Sequence, residues 1–78
     1  MNSLSIDIYN ILKTELSAVT SKMILEEKCR KIGRDSDTLN QEDLNDLFPL
    51  LLGPVILFGG EKKARSVKDK LNELKEGS

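Results

Sequence analysis

Apolar residues recur every three or four positions along three stretches of the chain. The first stretch covers about residues 4–17, the second about 20–32 and the third about 61–75. This spacing places the apolar side chains on one face of an α-helix, and the positions between them are largely polar or charged. The pattern therefore predicts three amphipathic helices.

Residues with known preferences for helix ends support these limits. Gly33 follows the second stretch, where a glycine in a left-handed conformation commonly ends a helix. Small hydroxylated residues at 17–21 favour a break between the first two helices over one kinked helix, with Thr20 as a candidate cap. Asn40, with Asp43 three residues later, predicts that another helix starts at Gln41.

Two prolines complicate the segment that follows. Pro49 should kink or end the helix that starts at Gln41, so we expect that helix to cover 41–48. Gly53-Pro54 is a second interruption, and 50–58 is predicted as a buried, broken helical stretch. Together the segments predict an all-α fold, a compact bundle of four to five short helices in a single domain.

Composition and charge narrow the possible roles. The chain has 78 residues, 38% of them hydrophobic, and a formal net charge of −1, so no global field attracts nucleic acid or an anionic membrane. The apolar run 47–58 is shorter than the roughly 20 residues that span a bilayer, so no membrane span is expected. A single cysteine excludes an intramolecular disulfide and favours a reducing, cytoplasmic location.

The sequence offers little for catalysis. Histidine, the commonest general base and metal ligand, is absent. Cys29 lies on the apolar stripe of the second helix and is predicted to be a buried hydrophobe. The acidic segment at 35–46 fails the calcium-loop spacing, because Leu39 and Asn40 stand where a ligand and a glycine are required. We therefore predict no enzyme activity and no catalytic, cofactor-binding or metal-binding residues.

Two basic clusters raise an alternative function, a helical nucleic-acid-binding domain that uses the basic faces of the second and last helices. A solvated helix face is the favoured interpretation of both clusters, because the three aromatic residues are not interleaved with them. Gly59-Gly60 before Lys62 and Lys63 also weakly suggests an anion site, although a sharp turn explains the glycines better. The candidate nucleic-acid or anion contacts are Arg30, Lys31, Arg34, Lys62, Lys63 and Arg65.

The leading hypothesis starts from the apolar run 47–58. Full burial inside the bundle is favoured, and partial exposure as a contact surface is the alternative. The second interpretation predicts a small non-enzymatic protein–protein interaction module, which binds a protein partner or self-associates through 47–58. Its candidate contact residues are Leu51, Ile56 and Phe58.

Overall fold

The computed structural model describes residues 1–77 and is all-helical over that range, which confirms the predicted fold class. It contains three α-helices, α1 (Ser3–Lys13), α2 (Ala18–Lys31) and α3 (Leu44–Glu76), and a short 3-10 helix (Gln41–Asp43) before α3. The predicted count of four to five helices was wrong. The break between α1 and α2 is present, and the helical path is interrupted at Gly60 as expected, whereas the breaks expected at Pro49 and at Gly53-Pro54 are not present.

The first two helices are capped by residues that the sequence pattern did not single out. The Asn2 side chain accepts a hydrogen bond from the Ser5 N–H at 2.9 Å, and the Ser17 hydroxyl accepts one from the Thr20 N–H at 3.1 Å. Each cap satisfies a backbone donor that has no partner within its helix. Because Ser17 caps α2 in place of Thr20, the predicted helix 4–17 ends too late and the predicted helix 20–32 starts too late.

Gly33 ends α2 as predicted. Its φ is 76°, in the left-handed region, and its N–H donates to the Arg30 carbonyl at 3.0 Å. The next N–H, that of Arg34, donates to the Cys29 carbonyl at 2.9 Å. These two bonds form a Schellman motif, which satisfies the last carbonyls of the helix and turns the chain towards α3.

Asn40 and Asp43 form the predicted capping box. The Glu42 N–H donates to the Asn40 side chain at 3.0 Å, and the Asn40 N–H donates to the Asp43 carboxylate at 3.0 Å. The helical segment therefore begins at Gln41 as expected, first as the 3-10 helix and then as α3.

The prolines do not end α3, which corrects the predicted separation of 41–48 from 50–58. An interior proline costs roughly 3 kcal/mol, so the pair costs roughly 6 kcal/mol. Pro49 has no N–H to donate to the carbonyl of Asn45, four residues earlier, and both residues are exposed. Burial of five large apolar side chains contributes about 1.5–3 kcal/mol each, which exceeds that cost. These side chains are Leu44, Leu47, Phe48, Leu51 and Val55.

A sharp bend at Gly60 divides α3 into a first arm, residues 44–59, and a second arm, residues 61–76. Gly60 has φ 86° and ψ 171°, a combination that is essentially restricted to glycine. The second arm runs back along the first, and Lys75 donates a hydrogen bond to the Asn45 side chain. The predicted helices 41–48, 50–58 and 61–75 thus belong to one bent helical element.

The core lies where α1 and α2 pack against the two arms. α1 runs antiparallel to the second arm, with Asp7 and Ile11 beside Glu73 and Leu74, and Lys70 donates to the Thr14 hydroxyl at 3.1 Å. Buried apolar residues from all three helices and from the loop before α3 form one cluster. They are Ile8, Leu12, Ile24, Leu25, Cys29, Leu39, Leu44, Leu47, Phe48, Leu51, Val55, Ala64, Val67 and Leu71.

We expect Gly60→Ala to lower the free energy of unfolding by about 1–3 kcal/mol, because a β-carbon strains this backbone conformation. Gly53→Ala is the matched control: this glycine is helical and has open space where a β-carbon would lie. The control should raise the free energy of unfolding by about 0.5–1 kcal/mol. Urea denaturation of dilute protein measures both values, and equal effects at the two glycines would contradict the special role of Gly60.

Candidate functional site

The candidate contact residues fall into two groups in the structure. Leu51 is 0% exposed and belongs to the core, so it cannot reach a partner while the domain is folded. Ile56 and Phe58 are 47% and 57% exposed. The favoured expectation that the whole run 47–58 is buried is therefore wrong: Pro49, Gly53 and the three residues at its C-terminal end are exposed.

Leu57 is the most exposed apolar residue of the run, at 80%, and the sequence analysis did not single it out. The sequence feature that could have predicted this exposure is the absence of any charged residue from Leu47 to Gly60, which leaves this part of the first arm without a charged face. A helix that is apolar all round needs cover on every side. The bundle covers one side only, so the other side of this arm faces solvent.

The first arm also explains a membrane-like signal in the sequence. By length and composition, the stretch Gln41–Glu76 could cross a bilayer, with an 18-residue window of mean hydropathy 1.2 that is only 28% buried. In the structure the stretch reverses direction at Gly60, and the first arm is about 24 Å long at ~1.5 Å per residue. That length falls short of the roughly 30 Å of a hydrocarbon core.

A shallow groove separates the two arms on their outer side. It opens into a cavity of about 200 Å³ with an apolar floor that includes Phe48, Leu52 and Leu71. The polar groups at its rim are Asn45, Asn72, Lys68 and Lys75. These rim groups are two amides and two ammonium groups, with no carboxylate, thiol or hydroxyl among them.

The basic candidates lie at opposite ends of the molecule. Arg34 pairs with the Asp43 carboxylate at 3.1 Å, so Arg30, Lys31 and Arg34 sit near the start of the first arm. The cluster Lys62, Lys63 and Arg65 follows the bend at the far end of that arm. The two clusters are therefore separated by the length of the first arm, about 24 Å at ~1.5 Å per residue.

In the acidic loop before α3, carboxylate oxygens accept hydrogen bonds from backbone N–H groups of the same loop. The Asp35 carboxylate accepts hydrogen bonds from the Asp37 N–H at 2.8 Å and the Thr38 N–H at 3.0 Å. These bonds lower the pKa of Asp35, the bond from Asp37 having the larger effect. Within residues 1–77, no three side chains of the metal-ligating types group together.

Cys29, the single thiol of the chain, is fully buried in the core, as predicted. Loss of hydration raises the pKa of its thiol from 9.0 to about 11, and the nearby carboxylates of Asp35 and Asp43 add to the shift. The thiol is therefore protonated at neutral pH, which makes it a poor nucleophile. Cys29 acts as a small apolar side chain.

We expect native Cys29 to react with a thiol-specific disulfide reagent at pH 8 at least about 100-fold more slowly than the unfolded chain, because the raised pKa lowers the thiolate fraction. Absorbance of the released thiolate measures both rates, in buffer and in denaturant. Equal rates would show that the side chain is accessible and ionised.

The same shift predicts how stability depends on pH. The folded state favours the neutral thiol, so this contribution is complete below pH 9.0 and is lost as the pH rises towards about 11. Denaturation across this range should show a steeper decline for the native protein than for Cys29→Ala, which has no thiol to titrate.

In comparisons with known proteins, the chain matches no family model, no curated protein and no solved structure. Among residues 1–77, exposed large apolar side chains lie on α1 (Ile6), on α2 (Val19 and Met23) and, as three successive residues, at the end of the first arm (Ile56, Leu57 and Phe58).

Proposed function

We propose that this chain is a small non-enzymatic protein–protein interaction module that binds its partner through the exposed apolar face of the first arm of α3. The observation that supports this most directly is the exposure of three successive large apolar residues. Ile56, Leu57 and Phe58 are 47%, 80% and 57% exposed. Single exposed apolar residues are common on protein surfaces, whereas adjacent ones on a helix typically mark a contact site.

These residues are not explained by the needs of the fold. The core cluster is complete without them, and the first arm already buries Leu47, Leu51 and Val55 on its inner side. Exposure of an apolar side chain leaves about 1.5–3 kcal/mol of transfer free energy ungained. Contact with a partner would recover part of that free energy, which supports an interaction role for the exposed end of the first arm.

The distribution of charged residues along the first arm supports the same function. From Leu47 to Gly60 no side chain is ionised, so a partner can approach the first arm without removing water from a charge. Depletion of charged residues at the centre and a charged rim are typical of protein–protein interfaces. Here Asp46 precedes the apolar run, and Lys62 and Lys63 follow it.

Leu51 and Leu57 should respond differently to truncation. Leu51→Ala removes a fully buried side chain, and we expect it to lower the free energy of unfolding by about 2–5 kcal/mol. Leu57→Ala removes a mostly exposed one and should change that free energy by less than about 0.5 kcal/mol. Urea denaturation at low protein concentration measures both, and a large loss at Leu57 would assign it to the fold.

Photo-crosslinking tests the interaction itself. We expect a benzoylphenylalanine at position 57 to give a crosslinked protein product of discrete mass when the full chain is irradiated in living cells. The matched control places the same residue at the exposed position 69 on the second arm. The product should disappear when Phe58→Glu is added, because a charge then occupies the contact. The absence of a discrete protein product from position 57, or equal products from both positions, would contradict the proposed function.

A further inference from the structure

The outer side of the first arm has a regular arrangement. Asp46, Leu50, Gly53 and Leu57 follow one another at spacings of four, three and four residues, which places them on one face of the helix. Gly53 and Leu57 are exposed, and Leu50 is half-buried. This outer face lies beside the groove, and its Gly53 and Leu57 positions are open to solvent.

The face is nearly symmetric about its middle. Leu50 and Leu57 lie on either side of Gly53, and a β-carbon at Gly53 would meet no atom within 4 Å. A glycine at the middle of an apolar helix face lets a second helix approach closely, because no side chain separates the two backbones. A partner helix with the same arrangement, running in the opposite direction, would place its leucines opposite these leucines.

The charges at the two ends of the face are complementary. Glu42, in the 3-10 helix, and Asp46 lie near the start of the first arm, where Lys75 also reaches Asn45, whereas Lys62 and Lys63 follow its end, where Glu61 offsets one of them. The carboxylates of Glu42, Asp46 and Glu61 and the ammonium groups of Lys62 and Lys63 are exposed and form no ion pair within residues 1–77. A copy of the arm running antiparallel would bring its basic end to the acidic end of the first copy, and a parallel copy would bring like charges together.

We infer that the partner of this face is a second copy of the chain, packed antiparallel with a twofold axis beside Gly53. The inference rests on the proposed function and specifies its partner. Leu50 of each copy contacts Leu57 of the other, and Asp46 of each faces Lys62 and Lys63 of the other. The contact is isologous, as in most homodimers.

The size of the outer face determines how strongly we expect the two copies to associate. The contact is one helix face along an arm about 24 Å long. The area that such a contact buries is small compared with the roughly 800 Å² per partner of a stable interface. We therefore expect a weak dimer in equilibrium with the monomer.

Sedimentation equilibrium of the purified full-length chain, from about 1 μM to about 1 mM, tests this geometry. The native protein should move from monomer to dimer. Gly53→Arg should weaken association at least about tenfold, because two arginines would meet at the axis. Its fold should be intact, since the side chain points into open space. The matched control Asp69→Arg introduces the same residue on the second arm and should leave the dissociation constant unchanged.

Charge reversal tests the antiparallel direction. Asp46→Lys alone, and Lys62→Glu with Lys63→Glu, should each weaken the dimer about tenfold by placing like charges opposite each other. The three substitutions together should restore most of the lost affinity, because opposite charges face each other again. Failure of the combination to recover affinity would overturn the antiparallel arrangement.

Three other results would overturn the proposed dimer. A native dimer that is insensitive to Gly53→Arg would mean that another surface pairs the copies. A native monomer up to about 1 mM would overturn the second copy as partner. A discrete product from position 57 that contains a different protein would then still support the proposed function. Co-sedimentation of the monomer with phosphatidylserine vesicles, lost in Phe58→Ser, would also overturn this inference and would identify a lipid surface as the occupant.

Discussion

The structure depends on the reversal of the chain at Gly60. With φ 86° and ψ 171°, this residue stops the α-helical path and sends the second arm back along the first. Without the reversal, α3 would be a straight rod, and Ala64, Val67 and Leu71 could not join the core cluster. A helical hairpin with both arms packed against α1 and α2 is therefore a consequence of one backbone conformation that only glycine adopts readily.

The reversal also determines which sides of the first arm are covered by the rest of the protein. Its inner side packs against α1, α2 and the second arm, and three helical segments surround only part of its circumference. The outer side, with Gly53 and Leu57, remains in solvent although the arm has no charged residue between Leu47 and Gly60. The apolar composition of this segment thus serves two purposes: one side stabilises the monomer, and the other is available for association.

The polar contacts at the other end of the molecule hold the loop between α2 and α3. Asn2 donates to the Leu39 carbonyl at 2.7 Å, and Ser5 donates to the Ser36 carbonyl at 2.6 Å. With the Asp35 turn, these bonds satisfy backbone groups that the short loop cannot pair by itself. The acidic residues of this loop are therefore structural, and a cation is not needed to explain them.

The sequence by itself determined the features that depend on neighbouring residues. Helical periodicity identified the helical class, and Gly33 and Asn40 marked a helix end and a helix start, because each acts on backbone groups within a few positions. Only the tertiary structure decided whether Pro49 and Pro54 interrupt α3, since the answer depends on how much apolar area the continuous helix buries against distant segments. It also decided the candidate site: Leu51 and Leu57 are the same residue type in one apolar run, and packing placed the first in the core and the second at the surface.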